Sequence, residues 1–293
     1  MVDAMAGPLL IFGQTGQVAR ELANLAPDAV FLARSDVDLS NPESCAAAIR
    51  QHAPRAVINA AAYTAVDKAE EEEALAHAIN AAAPTAMARA AAELGCPLVH
   101  ISTDYVFDGQ GTAPWSPSDA TDPENAYGRT KLAGEDAIRA SDAAYAILRT
   151  SWVFSAHGNN FLKTMLRLSE TRDALSIVDD QIGGPTPARA IAEACLSIAA
   201  QLQQDPGKSG TYHFSGALDV SWKDFAAAIF EISDRKVAVT GIPTSNYPTP
   251  AARPLNSRMD CSATKDVFGI SRPDWREATQ TIIQQLREIG ETA

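Results

Sequence analysis

Pro8-Leu-Leu-Ile-Phe12 runs directly into Gly13-Gln-Thr-Gly16-Gln-Val-Ala19. An apolar strand-like run thus meets a glycine turn, and a helical pattern at Val18, Leu22 and Leu25 follows. A second apolar run covers Ala29 to Leu32. This is a βαβ unit with its glycines between strand and helix. Backbone N–H groups and the helix dipole at such a turn favour a pyrophosphate. Ala19 stands where a third glycine often sits and still allows close helix–strand packing. Gly13, Thr15, Gly16, Gln17 and Val18 are therefore candidate dinucleotide-binding residues.

The pattern continues outward from this unit. Ala56 to Asn59 reads as a third strand, Leu98 to Ile101 as a fourth and Tyr145 to Leu148 as a fifth. A long Ala-rich helical stretch precedes Gly95, and its acidic run Glu70 to Glu73 reads as a solvated face. Residues 112–125 form a Pro/Ser/Asp-rich loop, and Tyr127 to Arg139 is helical. Strand–helix alternation over this length predicts a Rossmann-type, doubly wound parallel sheet of the α/β class. Residues 1–170 are expected to form the dinucleotide-binding domain. The looser pattern of 171–293 suggests a smaller C-terminal substrate-binding lobe, with segments returning to the sheet. Helices are expected at Phe161 to Leu168, Ala188 to Leu202, from a Ser221 cap to Ile232, and at Trp275 to Ile289. Tyr212 to Phe214 reads as strand-like and 243–254 as an irregular connection.

The carboxyl ends of the strands carry the chemistry. After the second strand come Arg34 and Ser35, which suit a 2′-phosphate better than a bare ribose hydroxyl and favour NADPH, with NADH as the alternative. Asp38 and Leu39 could flank an adenine. The turn Asn59 to Thr64, with Ala61, Ala62, Tyr63 and Thr64, could pass under the cofactor's ribose and phosphates. Ser102, Thr103 and Asp104 face the same crevice.

Tyr127 and Lys131 are four residues apart and share one helix face. A phenol can protonate a carbonyl oxygen, and an adjacent ammonium should lower its pKa from the usual ~10. The Thr103 hydroxyl could hold the same carbonyl. The pair alone fits a rim tyrosine on a solvated helix equally well; its context gives it weight. Thr103, Tyr127 and Lys131 are the candidate catalytic set.

Composition narrows the class. The 293 residues are 46% hydrophobic and 20% charged, with 24 basic against 36 acidic side chains and a net charge of −12. This balance argues against nucleic acid or anionic membrane as partners. Cys45, Cys96, Cys195 and Cys261 lack ligand spacing and read as reduced, buried thiols. His100, His157 and His213 read as core or rim histidines. No apolar run reaches the length of a membrane span, and Met1 to Gly7 do not resemble a secretory signal. A cytoplasmic protein is expected.

Taken together, the Gly13 turn, Ser102-Thr-Asp104 and Tyr127 to Lys131 resemble the extended short-chain dehydrogenase/reductase superfamily. Further blocks carry the likeness to the dTDP-4-dehydrorhamnose reductase family: Arg149 to Phe154, Gly158 to Phe161, Asp180 to Thr186 and Tyr247 to Ser257. The resemblance implies reduction of the C4 ketone of dTDP-4-dehydro-β-L-rhamnose to dTDP-β-L-rhamnose. It also implies that Asp104, Trp152 and Asn160, with Thr103, surround the sugar, and that Arg253 partners the nucleotide diphosphate. Some members of the family hold Mg²⁺ through glutamates at a dimer contact. Glu21 matches one such position, but Arg189 stands at another and would repel a cation. No bound metal is therefore expected, and a homodimer remains open. Two other readings stay in view: a nucleotide-sugar epimerase or dehydratase, and a regulatory subunit resembling that of methionine adenosyltransferase.

Overall fold

The computed structural model describes residues 7–290; the reading of the first six residues lies outside them. Six parallel strands form the central sheet: β1 (Leu9–Phe12), β2 (Val30–Leu32), β3 (Ala56–Asn59), β4 (Leu98–Thr103), β5 (Tyr145–Thr150) and, from far along the chain, β10 (Gly210–His213). Their order is β10-β5-β4-β3-β1-β2. The apolar run of β1 serves both faces, because successive side chains point to opposite sides of a strand. Leu9 and Ile11 pack with α1 (Gln17–Leu25) and α8 (Ala188–Gln204), whereas Leu10 and Phe12 pack with α2 (Pro42–His52) and α5 (Ala83–Leu94). This two-sided burial makes the fold a doubly wound α/β sheet.

The Ala-rich stretch before Gly95 is not one helix. It divides into α3 (Val66–Ala69), α4 (Glu73–His77), a π turn (Ala78–Ala82) and α5. The break has a cause. Asn80 lies in the π turn and turns its amide away from the helix, accepting from Tyr63 N at 2.8 Å and donating to Tyr63 O at 3.1 Å and Thr130 Oγ1 at 3.2 Å. The acidic run is also more than a solvated face. Glu70 accepts from Ala126 N, at the start of α6 (Ala126–Arg139), at 2.7 Å; Glu73 pairs with Arg129 of the same helix at 3.0 Å. Asn125 completes the cap by accepting from Gly128 N at 2.8 Å. The Glu70 and Asn125 contacts, both to backbone N–H groups, fix the start of the helix that carries Tyr127.

A second core lies beyond β5. After β6 (Val153–Phe154) it is built from α7 (Phe161–Ser169), α9 (Trp222–Ser233) and α11 (Trp275–Glu288), packed with the parallel pair β7 (Ala174–Val178) and β12 (Ala238–Ile242). Short strands join it to the sheet: β6 pairs with β9 (Thr186–Pro187), and β8 (Ile182–Gly183) lies between β11 (Val220–Ser221) and β13 (Asn256–Ser257). Ser221 caps α9 by accepting from Asp224 N at 3.0 Å. A last short helix, α10 (Ser262–Phe268), contacts α8 and β10. The four cysteines are buried and free. Among the described residues no helix is long and apolar enough to cross a membrane.

Candidate active site

The glycine turn forms one end of the crevice. Gly13 has φ +111°, a conformation costly for any side chain, and an added Cβ would lie 3.3 Å from Ala60 O. Gly16 caps α1 without a side-chain hydrogen bond, so no capping side chain takes the amides of the first turn. Those amides suit an anion. Thr15 is exposed beside them and Val18 is buried. Gln17 turns aside: its Oε1 accepts from Ser155 Oγ at 2.8 Å and Asn160 Nδ2 at 3.0 Å. Asn160 in turn caps α7 by accepting from Lys163 N at 3.1 Å. Gln17 and Asn160 therefore meet each other and tie α1 to the second core.

At the end of β2, Arg34 and Ser35 are exposed, while Asp36 Oδ2 accepts from Ala33 N at 2.8 Å. Asp38 is exposed, and its hydrogen bonds from Ser40 hold its carboxyl below the usual range; Leu39 packs against the core. The turn after β3 is held at both ends. Asn59 Oδ1 accepts from Ala61 N at 3.1 Å, and Asn80 clamps the backbone of Tyr63, whose hydroxyl donates to Glu72 at 2.7 Å. Ala62 is half-buried in this turn and Thr64 exposed.

The structure brings Ser102, Thr103, Asp104, Tyr127 and Lys131 to the carboxyl edge of β4. Thr103 Oγ1 donates to Asp104 Oδ1 at 3.2 Å and accepts from Tyr105 N at the same distance. Burial pushes the Asp104 carboxyl up to about 6, against the lowering effect of nearby hydroxyls. The Tyr127 ring meets Tyr105 edge-on, with centroids 5.5 Å apart. Its phenol differs from the sequence-based expectation: burial pushes it up to about 12, with only a partial counter-effect from the Thr103 hydroxyl. Lys131 does not offset this burial. Its Nζ is directed to Ile101 O at 2.7 Å and His100 Nε2 at 3.0 Å, and burial lowers its own pKa to about 8. A weakened ammonium turned toward β4 does little to favour the phenolate.

Trp152 lies between β5 and β6, and Arg253 shortly before β13. Trp152 has φ +50° and stacks on Trp222 at 3.6 Å between centroids, with 11° between planes. Trp222 Nε1 donates to Gln181 at 3.0 Å. Arg253 Nη2 pairs with Asp67 Oδ2 at 2.7 Å. Burial raises the Asp67 pKa, but Arg253 and the Ala251 N–H outweigh it and leave the carboxyl below its ordinary value. Sequence reasoning missed His100, Asn80, Asp67 and Trp222 as neighbours of the site. A buried polar residue in the apolar run Leu98-Val-His-Ile was the one usable signal, and it pointed only to His100.

The residues around the family's metal position do not fit Mg²⁺. Glu21 lies 3.4 Å from His157 Nε2, and Arg189 pairs with Glu193 at 3.1 Å. Mg²⁺ needs several oxygen ligands in octahedral array; here a guanidinium neutralises one carboxylate and an imidazole occupies the other. Among the described residues, no three His, Cys, Asp or Glu side chains are grouped to hold a metal ion.

A parallel sheet with an uncapped glycine turn at one end of its crevice and Thr, Tyr and Lys at the other defines a Rossmann-type dehydrogenase/reductase of the short-chain kind. The chain matches the RmlD substrate binding domain family over residues 7–288. It is 43% identical to a dTDP-4-dehydrorhamnose reductase of Sinorhizobium fredii, covering 97% of this chain and 99% of the relative. Identity to the Escherichia coli enzyme of the same name is 42%, covering 95% and 97%. Among solved structures, a dTDP-4-dehydrorhamnose reductase of Clostridium acetobutylicum superposes with TM-score 0.89 at 36% identity, covering 96% and 99%. One of Bacillus anthracis in complex with NADP gives 0.88 at 33%, covering 96% and 100%. The chain belongs to the dTDP-4-dehydrorhamnose reductase family. UDP-glucose 4-epimerase, at 17% identity and TM-score 0.81, shares the fold.

Proposed function

We propose that the protein reduces the C4 ketone of dTDP-4-dehydro-β-L-rhamnose to dTDP-β-L-rhamnose, the last step of dTDP-L-rhamnose biosynthesis, with NADPH as the favoured cofactor and NADH as the alternative. The observation that carries this reading is the side-chain contact between Thr103, at the end of β4, and Tyr127, four residues before Lys131 on α6, in a chain that family relatives match nearly end to end. NADPH, when bound, supplies the hydride.

The chain's residues supply the rest. Thr103 donates a hydrogen bond to the ketone oxygen, and Tyr127 gives its proton to that oxygen as carbon accepts hydride, leaving an alcohol and a phenolate. Burial, which pushes the phenol up to about 12, keeps it in the acid form until the ketone oxygen takes its proton. Lys131 binds the nicotinamide ribose and, once drawn as an ammonium from Ile101 O and His100 toward the cofactor, stabilises the phenolate. Asp104, Trp152 and Asn160 surround the sugar, and Arg253 leaves Asp67 for the diphosphate. Gly13, Thr15, Gly16, Gln17 and Val18 hold the pyrophosphate; Arg34 and Ser35 take the 2′-phosphate. Asp38 and Leu39 flank the adenine. Ala61, Ala62, Tyr63, Thr64 and Ser102 line the cofactor's path.

In this reading residues 1–170 are mainly the cofactor domain and 171–293 mainly the substrate lobe of a cytoplasmic enzyme, with β6 and α7 packing in the second core and α8 and β10 with the central sheet. The test is direct. Purified protein should consume NADPH only when the 4-keto sugar nucleotide is present, and more slowly with NADH. No consumption with either cofactor would overturn the reading.

A further inference from the structure

Asn59, His100 and Lys131 form a buried chain of hydrogen bonds behind the site. Asn59 Nδ2 lies 3.0 Å from His100 Nδ1, and His100 Nε2 lies 3.0 Å from Lys131 Nζ. All three side chains are buried, so each N–H must find an acceptor within the protein. The directions can be worked out from one fixed donor. The backbone N–H of Ala61 can only donate, and it points at the Asn59 side chain at 3.1 Å. The Asn59 oxygen therefore faces Ala61, and its NH₂ faces His100.

His100 Nδ1 must then accept. Burial keeps the imidazole neutral, so its single proton sits on Nε2 and points at Lys131. Lys131 can accept that proton only through the lone pair of a neutral amine, while donating to Ile101 O at 2.7 Å. An ammonium always leaves two buried donors face to face. If His100 shifts its proton to Nδ1, the clash is with Asn59; if Asn59 also flips, the clash moves to Ala61.

We propose that Asn59 and His100 are positioning residues that set the charge of Lys131: the relay accommodates the neutral amine and opposes the ammonium, so Lys131 gives up its proton more readily than a lysine in water, and a bound anionic dinucleotide draws a proton onto it. The dinucleotide part rests on the cofactor reading above.

Other groups around the amine are accounted for. Glu135, one turn on in α6, is the main counter-charge, but Arg149 of β5 binds both its oxygens at 2.9 and 2.6 Å and Arg139 adds a third contact at 2.9 Å. Tyr127 lies one turn earlier, and Asp104 and Tyr105 face the site from the turn after β4. On α3, Asp67 and Lys68 are paired with Arg253 and Glu72; on α4 and α5, Glu73 and Glu93 are paired with Arg129 and Arg50. His77 of α4 and Arg89 of α5 are exposed. The lowering of Lys131 to about 8, mainly by burial, agrees with the directional argument.

Asn59→Asp tests the direction of the relay. Its carboxylate accepts where the amide donated, so the His100 proton moves to Nδ1, Nε2 becomes an acceptor and the ammonium fits. Lysine side-chain NMR on nucleotide-free protein, with the Lys131 signal identified by Lys131→Met, should give a midpoint near 8 in the wild type. In Asn59→Asp it should rise by one unit or more, a tenfold or greater change. A wild-type midpoint at the ordinary ~10.4, which needs no variant to fold, would overturn the proposal, as would an unmoved midpoint in folded Asn59→Asp. Calorimetry of NADPH binding at pH 8 in two buffers of different ionisation enthalpy should show uptake of about half a proton. Binding without uptake also contradicts the inference; no binding at all sinks the cofactor reading and leaves the NMR midpoint to decide this one.

Discussion

Replacing Gly128 by Ala should damage catalysis through packing alone. Gly128 follows Tyr127 in the first turn of α6, where the helix backbone is pressed against the turn after β4. An added Cβ would sit inside the contact distance of Tyr105 O, 3.0 Å from Tyr105 C and 2.9 Å from Pro123 Cβ. The clash is mostly with backbone, which cannot rotate away, so α6 must retreat by about 1 Å, a displacement that costs roughly 10²-fold when it separates a catalytic group from its partner. Thr103 and Tyr105 belong to the same rigid turn, hence Tyr127 moves away from Thr103. Two stability effects compete. Alanine gains about 1 kcal/mol in helix propensity, while overpacking costs about 1–3 kcal/mol, and the cost should win. The expected result is a kcat loss of about 10²-fold, or ~2.7 kcal/mol in the barrier, with a lower thermal midpoint and little change in NADPH affinity. Arg129→Ala, one residue on, should serve as control, since it removes only an exposed ion pair with Glu73. If Gly128→Ala keeps wild-type kcat and thermal midpoint, close packing of α6 on this turn does not position Tyr127.

Three further outcomes are expected. Tyr127→Phe removes the proton donor and leaves the crevice filled, so kcat should fall at least ~10²-fold with NADPH affinity little changed; near wild-type turnover would remove Tyr127 from the mechanism. Arg34→Ala should weaken NADPH selectively by roughly 10- to 100-fold, the equivalent of a charge-assisted contact of ~1.5–3 kcal/mol. Equal loss for NADH would show that Arg34 does not read the 2′-phosphate. Protein treated with EDTA should keep most of its kcat, because Arg189 and Glu193 neutralise each other where a cation would need oxygen ligands; loss on chelation and recovery with Mg²⁺ would refute this.

The sheet was legible because its signals are local. Leu9 to Phe12 needed only an apolar run and a glycine turn, and Tyr127 and Lys131 their spacing together with the Gly13 turn and Ser102-Thr-Asp104 upstream. Four-residue periodicity did not reveal the π turn at Ala78–Ala82, since an Ala-rich run reads as helix whatever Asn80 binds. The two-residue strands β6, β8, β9, β11 and β13 are too short to show alternation, and the β7–β12 pair is held by distant partners. The α2 helix did not stand out, although Asn41-Pro42-Glu43 is a fair start signal. Burial of charge was the largest gap. The spacing of Tyr127 and Lys131 suggested an ammonium beside a phenol, but whether Lys131 faces the phenol or His100 depends on where β4 runs behind the helix. Likewise the run Glu70 to Glu73 looked solvated until α6 supplied the N–H and the guanidinium that it binds.

Reduction at C4 of a dTDP-linked 4-keto sugar leaves a hydrogen on that carbon that isotopic labelling can trace. The protein should be incubated with dTDP-4-dehydro-β-L-rhamnose and NADPH deuterated at the transferable position, and the product sugar examined by NMR. The expected product is dTDP-β-L-rhamnose with deuterium at C4, with NADP⁺ formed in equal amount. Unreacted ketone, the C4 epimer as the main product, or label at any other carbon would contradict it.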